Sequence, residues 1–226
     1  MFPATLHPNT LHRMRLWLEQ CNTSHSECSH LSTRLVPLPT RVLDLSALPD
    51  QNQMLGKHQN WRELFQGKNC KLFQTLNGQA GRYAALSYCW GADLPSKTTT
   101  INLQAHEIAI GFNTLPRTLQ DAILTVRWMD IEYIWIDCVC ILQDSKTDWE
   151  YESARMADVY SNAYLTVAAS RAEQCGEGFF GLRTIPSLFC IGIEDDEGSF
   201  VLYFQEISRP RSEVSHWPHI VLPTVY

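Results

Sequence analysis

The stretch Tyr83-Ala84-Ala85-Leu86-Ser87-Tyr88-Cys89-Trp90-Gly91 decides the fold together with a second block, Trp135-Ile136-Asp137-Cys138-Val139-Cys140. Each block is an apolar, strand-like run that ends in polar residues, Trp, Cys or Gly. Open α/β sheets place their ligands at the carboxyl ends of buried strands. The two blocks therefore predict two buried strands whose ends carry a polar site.

The residues between and after these blocks have helical patterns, which predicts an α/β fold. Pro116 suits the first turn of a helix, and 131–136 is the nearly continuous apolar run of a strand covered on both faces. A strand, a helix and a second strand in this order predict a crossover and a parallel pair. The capping-box spacing of Thr147 and Glu150 predicts another helix, and 163–169 another strand. We expect a mostly parallel sheet flanked by helices.

Hairpins are expected on either side of this core. Residues 71–76 and 83–88 flank the Asn77-Gly78 pair, in which both residues tolerate positive φ, and this pattern predicts a β-hairpin. Residues 189–193 and 200–204 flank an acidic turn and predict a second hairpin. Two further elements are predicted upstream: a helix over 9–21 and a strand over 41–45.

Composition excludes several classes of protein. The 226 residues are 45% hydrophobic, which is enough to bury a core. The net charge of -6 argues against a protein that binds nucleic acid through its phosphates. The sequence has no run of about 18 apolar residues, so no membrane span is predicted, and the pattern of its first residues predicts no secretory signal. Several of the eight cysteines lie in apolar runs, so we expect reduced thiols in a cytoplasmic protein.

One short segment has two interpretations. Cys21, His25, Cys28 and His30 could supply four zinc ligands of the right softness. However, the second pair is compressed, and no distant pair completes a known zinc pattern. The alternative is an ordered loop with a partly buried Cys or His, and on that interpretation no metal site is expected.

Four blocks in register resemble the fungal heterokaryon incompatibility (HET) domain. They are Leu86-Ser87-Tyr88-Cys89-Trp90-Gly91, Leu115-Pro116-x-Thr118 with Asp121-Ala122, Trp135-Ile136-Asp137-x-x-Cys140-Ile141-x-Gln143-Asp144, and Trp149-x-x-Glu152 with Met156, Tyr160 and Asn162-Ala163. The flanks are similar too, including Gly178-Phe179-Phe180-Gly181-Leu182-Arg183. The resemblance covers about residues 11 to 185.

The resemblance implies three parts in the chain. Residues 1–40 would form an N-terminal extension with the helix and the Cys/His loop, 41–207 the HET domain, and 208–226 an irregular C-terminal tail. HET domains usually continue beyond the hairpin into a Trp-containing block that ends in Gln-Glu. Residues 208–226 do not supply it, so this block is expected to be missing.

The resemblance also implies a fold and a function. The fold would be related to the TIR domain, with a flavodoxin-like parallel sheet, and the function would be fungal non-self recognition and programmed cell death. One hypothesis is a signalling module that works by self-association or with protein partners. The other is a hydrolase that cleaves NAD, as some TIR domains do with a helix-borne glutamate. NAD would then be a small-molecule nucleotide substrate, and no cofactor is expected.

Glu152 and Asp137 are the candidate catalytic residues. A carboxylate near the strand ends could stabilise the positive charge that develops on a ribose as its leaving group departs. Glu152 could instead be a solvated glutamate in the first turns of its helix. Asp137 ends an apolar strand, where an aspartate is costly unless it meets Arg, backbone amides or a ligand.

Seven other residues are candidate ligand-binding residues: Ser87, Tyr88, Trp90, Gly91, Cys140, Gln143 and Asp144. Gly91 would let the backbone approach a ligand, and Trp90 could stack on a base or nicotinamide, or instead cap the core. Cys140 lacks a nearby histidine base and could equally be a small buried thiol. Gln143 and Asp144 follow the second strand, and Asp144 could instead start the next helix.

Overall fold

The computed structural model describes residues 8–25, 35–55, 61–76, 78–91 and 96–180, and the backbone of 188–195 and 198–205. The chain forms two compact units, Met1–Leu182 and Arg183–Tyr226. The described helices of the first unit are α1 (Pro8–Ser24), α2 (Gln51–Met54), α3 (Trp61–Phe65), α4 (Leu103–Ile108), α5 (Arg117–Trp128), α6 (Asp137–Cys140), α7 (Lys146–Ala154) and α8 (Met156–Asn162). Its described strands are β1 (Val36–Pro37), β2 (Arg41–Asp44), β3 (Asn69–Gln74), β4 (Ala80–Gly81), β5 (Tyr83–Ser87), β6 (Ile110–Gly111), β7 (Tyr133–Trp135) and β8 (Leu165–Ala168).

A six-stranded sheet organises the first unit, in the order β6-β3-β2-β7-β5-β8. β5 pairs in parallel with β7 and β8, as the strand, helix, strand order predicts. β2 pairs antiparallel with both β3 and β7, and β3 pairs antiparallel with β6. The predicted α/β class is confirmed, but the sheet is mixed: it has a parallel half (β7, β5, β8) and an antiparallel half (β6, β3, β2).

The predicted hairpin through Asn77-Gly78 does not form. Gly78 has the expected positive φ of 81°, but β3 pairs with β2, while β4 pairs with β1. The reason lies in burial. β3 alternates between buried and exposed residues, whereas Tyr83 to Leu86 in β5 are all buried. Because both faces of β5 are covered, it pairs with β7 and β8 in the parallel half of the sheet and not with β3, whose residues alternate between buried and exposed.

Helices pack on this sheet largely where the sequence predicts them. Pro116 is the N-cap of α5, whose residues are mostly buried, and the Trp128 ring lies 4.7 Å from the Trp61 ring. The predicted capping box at Thr147 is wrong, because Ser145 is the N-cap and its Oγ accepts from the Asp148 N–H at 3.3 Å. The helix begins earlier because the serine hydroxyl already satisfies a free N–H of its first turn.

The N-terminal helix is confirmed as α1, which buries Leu11. Cys21 and His25 are described, but Cys28 and His30 lie outside the described residues. No group of three or more potential metal ligands occurs in the part of the chain that the structure describes. None of the described helices combines the length and the apolar character needed to cross a membrane.

The second unit contains the predicted second hairpin. β9 (Leu188–Asp195) pairs antiparallel with β10 (Gly198–Gln205). Phe200 lies opposite Ile193 in this register, as the predicted hairpin requires, and Asp196 and Glu197 lie outside the described residues.

Candidate functional site

The carboxyl end of β7 is the centre of the candidate site, because the chain turns there directly into α6. Ile136 still has an extended backbone, and Asp137 begins the helix. The Asp137 carboxylate accepts hydrogen bonds from Trp90 Nε1 at 2.8 Å and from the backbone N–H of Cys138 at 2.7 Å. Two predicted site residues from separate blocks of sequence, Trp90 and Asp137, therefore meet in space.

Tyr88 completes this group, and we call Tyr88, Trp90 and Asp137 the Trp90 cluster. The Tyr88 hydroxyl oxygen is buried beside the Asp137 carboxyl and the Cys138 thiol. Burial raises its pKa, and so do the nearby Cys138 and Asp137. Burial also raises the pKa of Asp137, although its hydrogen bonds with Trp90 and Cys138 oppose this effect. The Asp137 carboxyl therefore keeps its proton to a higher pH than an exposed aspartate.

Residues 169–180, which we call the strap, follow β8 and lie along the carboxyl end of β5. The Ala169 N–H donates to the Ser87 carbonyl at 2.8 Å, and the Cys175 N–H donates to the Trp90 carbonyl at 3.4 Å. Gly91 has a φ of 74°, and a Cβ there would lie 3.1 Å from Gln174 Cβ. The strap therefore packs closely against the backbone at Gly91, and the approach of a ligand to this glycine stays a prediction.

Thr118, in the first turn of α5, holds the middle of the strap. Its N–H donates to the Cys175 carbonyl at 2.9 Å, and its hydroxyl accepts from the Gly178 N–H at 3.2 Å. The first N–H groups of a helix have no partner within the helix. The strap thus satisfies a group that α5 would otherwise leave free.

Asp121 fastens the far end of the strap. This fully buried carboxylate accepts from the backbone N–H groups of Phe179 and Phe180 at 2.8 and 3.0 Å, and it pairs with the Arg62 guanidinium. Gly178 has a φ of 75°, and a Cβ there would lie 2.6 Å from the Asp121 carboxylate. Only glycine fits, so the Asp121-Ala122 and Gly178-Phe179-Phe180 motifs are two sides of one contact.

Glu152 lies in a different group, at the other end of α6. Arg41 of β2 donates from Nε to the Cys140 carbonyl at 2.6 Å and from Nη2 to the Asp148 carboxylate at 2.5 Å. The same Nη2 lies 3.8 Å from Glu152 Oε1. We call Arg41, Asp148 and Glu152 the Arg41 cluster.

Glu152 is only 2% exposed, so it is not a solvated helix residue. Its Oε1 atom makes no hydrogen bond within the described residues. Burial raises the pKa of Glu152, although a hydrogen bond with Thr40 and the adjacent Arg41 oppose this effect. No hydrogen bond or ion pair joins Glu152 to Asp137 or Trp90 in the described part of the chain. The two candidate catalytic carboxylates therefore belong to separate clusters.

Cys140 is a buried thiol between the two clusters. Its sulfur accepts from the Ile136 N–H at 3.4 Å, and its side chain is almost fully buried. Burial raises the pKa of Cys140 to about 12. Because the thiolate is the nucleophilic form, this residue is not poised for covalent chemistry at neutral pH.

Gln143 and Asp144 hold the loop after α6 in place. The Gln143 amide donates to the carbonyls of Asp137 and Ile141 at 3.1 and 3.0 Å. The Asp144 carboxylate accepts from the Thr100 hydroxyl and N–H at 2.6 and 2.8 Å, and these bonds lower its pKa. Both side chains are engaged by the chain itself, and Asp144 does not begin α7.

Several residues of these networks were not among the predicted site residues: Arg41, Arg62, Thr118, Asp121 and Asp148. Asp121 carried a usable signal, because it is a charged residue beside the apolar stripe of its helix. A buried charge is kept only when it is paired, so such a residue predicts a partner. The sequence could not name the partners, since they lie far away along the chain.

A shallow cavity of about 170 Å³ lies near the amino ends of β5 and β7, at the opposite ends of these strands from the Trp90 cluster. It is lined in part by Arg82 and Ile131, which precede β5 and β7, and by Arg15 of α1. Arg15 forms an ion pair with Glu19 at 2.9 Å. This cavity contains none of the predicted site residues, so it does not coincide with the candidate site.

Comparison with models of protein families matches residues 83–211 to the family described as heterokaryon incompatibility protein (HET). The match covers more than half of the 226 residues and includes both the Trp90 cluster and the strap. Comparison with curated proteins and with solved structures found no match.

Proposed function

The chain belongs to the heterokaryon incompatibility family, and on this basis we propose that it is a cytoplasmic signalling module of fungal non-self recognition and programmed cell death. It works by associating with itself or with protein partners. One observation carries this proposal: the helix-borne carboxylate that a hydrolase would need, Glu152, is 2% exposed and lies beside Arg41. A module of this kind needs exposed surface and no catalytic group.

The contacts of Arg41 make Glu152 a poor catalyst. Reacting atoms must come within about 3–3.5 Å of a catalytic group in the bound complex. The Arg41 guanidinium is itself fixed by Asp148 and by the Cys140 carbonyl, so it does not move aside freely. A substrate would have to displace a buried ion pair to reach the Glu152 carboxylate, which is costly.

NAD cleavage is the second candidate function, with Glu152 as the catalytic carboxylate and Asp137, Ser87 and Trp90 assisting. A specific observation favours it. The Trp90 cluster lies at the carboxyl ends of β5 and β7, where α/β sheets bind ligands. A nucleotide would be the substrate, with the indole of Trp90 as a stacking surface.

Substitution of Glu152 in fungal cells separates the two functions. Glu152→Gln keeps the shape of the side chain, and Glu150→Gln on the exposed part of the same helix is the matched control. The proposed module predicts that both variants kill cells as the wild type does, with cellular NAD unchanged. Loss of killing in Glu152→Gln alone, with the variant folded and NAD depleted by the wild type, would favour the hydrolase.

Purified protein gives a direct second measurement. Incubation with NAD, with release of nicotinamide as the readout, should give no signal above the buffer rate if the module works by association alone. Turnover that disappears in Glu152→Gln would overturn the proposal.

A further inference from the structure

The two edges of the six-stranded sheet differ in a way that bears on self-association. The β6 edge is two residues long, which is too short to guide another strand. β8, at the other edge, is a four-residue strand that pairs with β5 and with no other described strand. The backbone groups along such an edge form a ready template for a further strand.

The free hydrogen-bonding groups of β8 can be assigned from its pairing. The Ala169 N–H, just after β8, donates to the Ser87 carbonyl at 2.8 Å, toward β5, and Leu165 to Ala168 pair in register with Ala84 to Ser87. Because peptide groups alternate in direction along a strand, the N–H groups of Thr166 and Ala168 are directed to the outer edge. The Thr166 and Ala168 side chains are exposed. An incoming strand would therefore meet unpaired backbone and small side chains.

The sequence around β8 lacks the features that usually block pairing at an edge. Proteins protect such strands with charged residues, proline or bulges. Residues 163–170 contain no charged residue and no proline, and they include Tyr164, Thr166 and Val167, which favour strands. The chain as a whole has a net charge of -6, so this neutral edge avoids the charge repulsion that copies would meet elsewhere.

We infer that β8 is the surface through which this chain binds a second copy of itself, with the two β8 strands pairing antiparallel. A two-fold axis places the same segment on both sides of the contact, and a neutral edge is complementary to itself. The contact joins two six-stranded sheets into one. This inference rests on the proposed function, because it names the surface by which the module associates.

The test measures self-association of the purified chain by sedimentation over a range of concentrations. Thr166→Lys puts a charge on the edge without disturbing the core, because the Thr166 side chain is exposed. Gln104→Lys adds the same charge to the exposed side of α4 and is the matched control. Wild type and Gln104→Lys should form dimers, and Thr166→Lys should weaken the dimer by about tenfold or more.

Hydrogen exchange gives a second readout that does not depend on a variant. The Thr166 and Ala168 amides should exchange more slowly as the dimer forms, while amides on α4 should not change. A dimer that Thr166→Lys leaves intact, with unchanged exchange along β8, would overturn this inference but leave the proposed module standing. A chain that stays monomeric at every concentration would overturn the proposed self-association as well.

Discussion

The Arg41 cluster and the Trp90 cluster each stabilise a buried carboxyl group, but with different partners. Each holds a carboxyl group whose pKa burial raises, one at either end of the short helix α6. Glu152 has a full cation beside it, whereas Asp137 has an indole N–H and a backbone N–H. A charged partner cannot be lost without leaving buried charge behind, while neutral donors can be replaced at modest cost. The first cluster should therefore govern folding, and the second should tolerate change.

The largest effect should follow removal of the cation. Arg41→Met leaves the Asp148 and Glu152 carboxylates without their partner in a buried site. Unfolding in urea should show a loss of about 3–5 kcal/mol. Arg13→Met, an exposed position on α1, should cost almost nothing. Equal losses for the two variants would show that the Arg41 cluster does not govern folding.

A smaller effect is expected where a charged contact closes the strap. Asp121→Asn keeps an oxygen acceptor but loses the attraction to Arg62 and weakens the bonds from Phe179 and Phe180. Stability should fall by about 2–3 kcal/mol, and the Phe179 and Phe180 amides should exchange faster. The exposed Asp158→Asn is the control. Unchanged exchange at Phe179 and Phe180 would contradict the assigned role of Asp121.

Loss of a neutral donor should cost less again. Trp90→Phe removes the indole N–H from Asp137, which keeps its bond from the Cys138 N–H. Stability in urea should fall by about 1–2 kcal/mol. The loss should shrink when Asp137→Asn is also present, because the two residues are coupled. Trp149→Phe, at a side chain that is 52% exposed, should be nearly silent. A loss as large as that of Arg41→Met would erase the distinction between the clusters.

The smallest effect concerns the pH dependence of Glu152. Its pKa is raised in the folded chain, so the folded state holds a proton that the unfolded state has already released. This contribution to stability is fully present below the ordinary glutamate pKa and is lost as pH rises through the raised value. Glu152→Gln lacks this loss, so its stability relative to the wild type should rise, by less than about 1 kcal/mol, between about pH 4 and pH 7.

Glu150→Gln provides the control, since Glu150 is an exposed residue of the same helix. Its stability relative to the wild type should have little pH dependence over the same range. A trend of the opposite sign in Glu152→Gln would mean that the attraction of Arg41 outweighs burial.

Local patterns predicted the parallel half of the sheet well. The apolar runs that became β5, β7 and β8 and the helix that follows Pro116 all occur near their expected positions. The spacing of apolar residues and the capping residues determine where such strands and helices form, and both signals act within a few residues. The Asn77-Gly78 hairpin was wrong because pairing depends on which distant strand offers a matching covered face, and turn chemistry alone does not fix that choice.

The candidate site was predicted only in part, for a related reason. The sequence brought Trp90 and Asp137 together correctly, because both lie just beyond neighbouring parallel strands. It did not predict that Arg41, from the antiparallel half, would bury Glu152. That contact joins residues more than a hundred positions apart, and a glutamate on a helix gives no local sign of such a partner. The roles of Ser87, Tyr88, Gly91, Cys140, Gln143 and Asp144 toward a ligand stay predictions.

The position of β2 has a practical consequence for how this domain is expressed. The family match begins at residue 83, yet β2 lies inside the sheet, between β3 and β7. A fragment trimmed to the match would lack β2, so β7 would lose its antiparallel neighbour and Asp148 would lose its ion pair with Arg41. Cloning boundaries should therefore be set upstream of Val36, whatever the family alignment suggests.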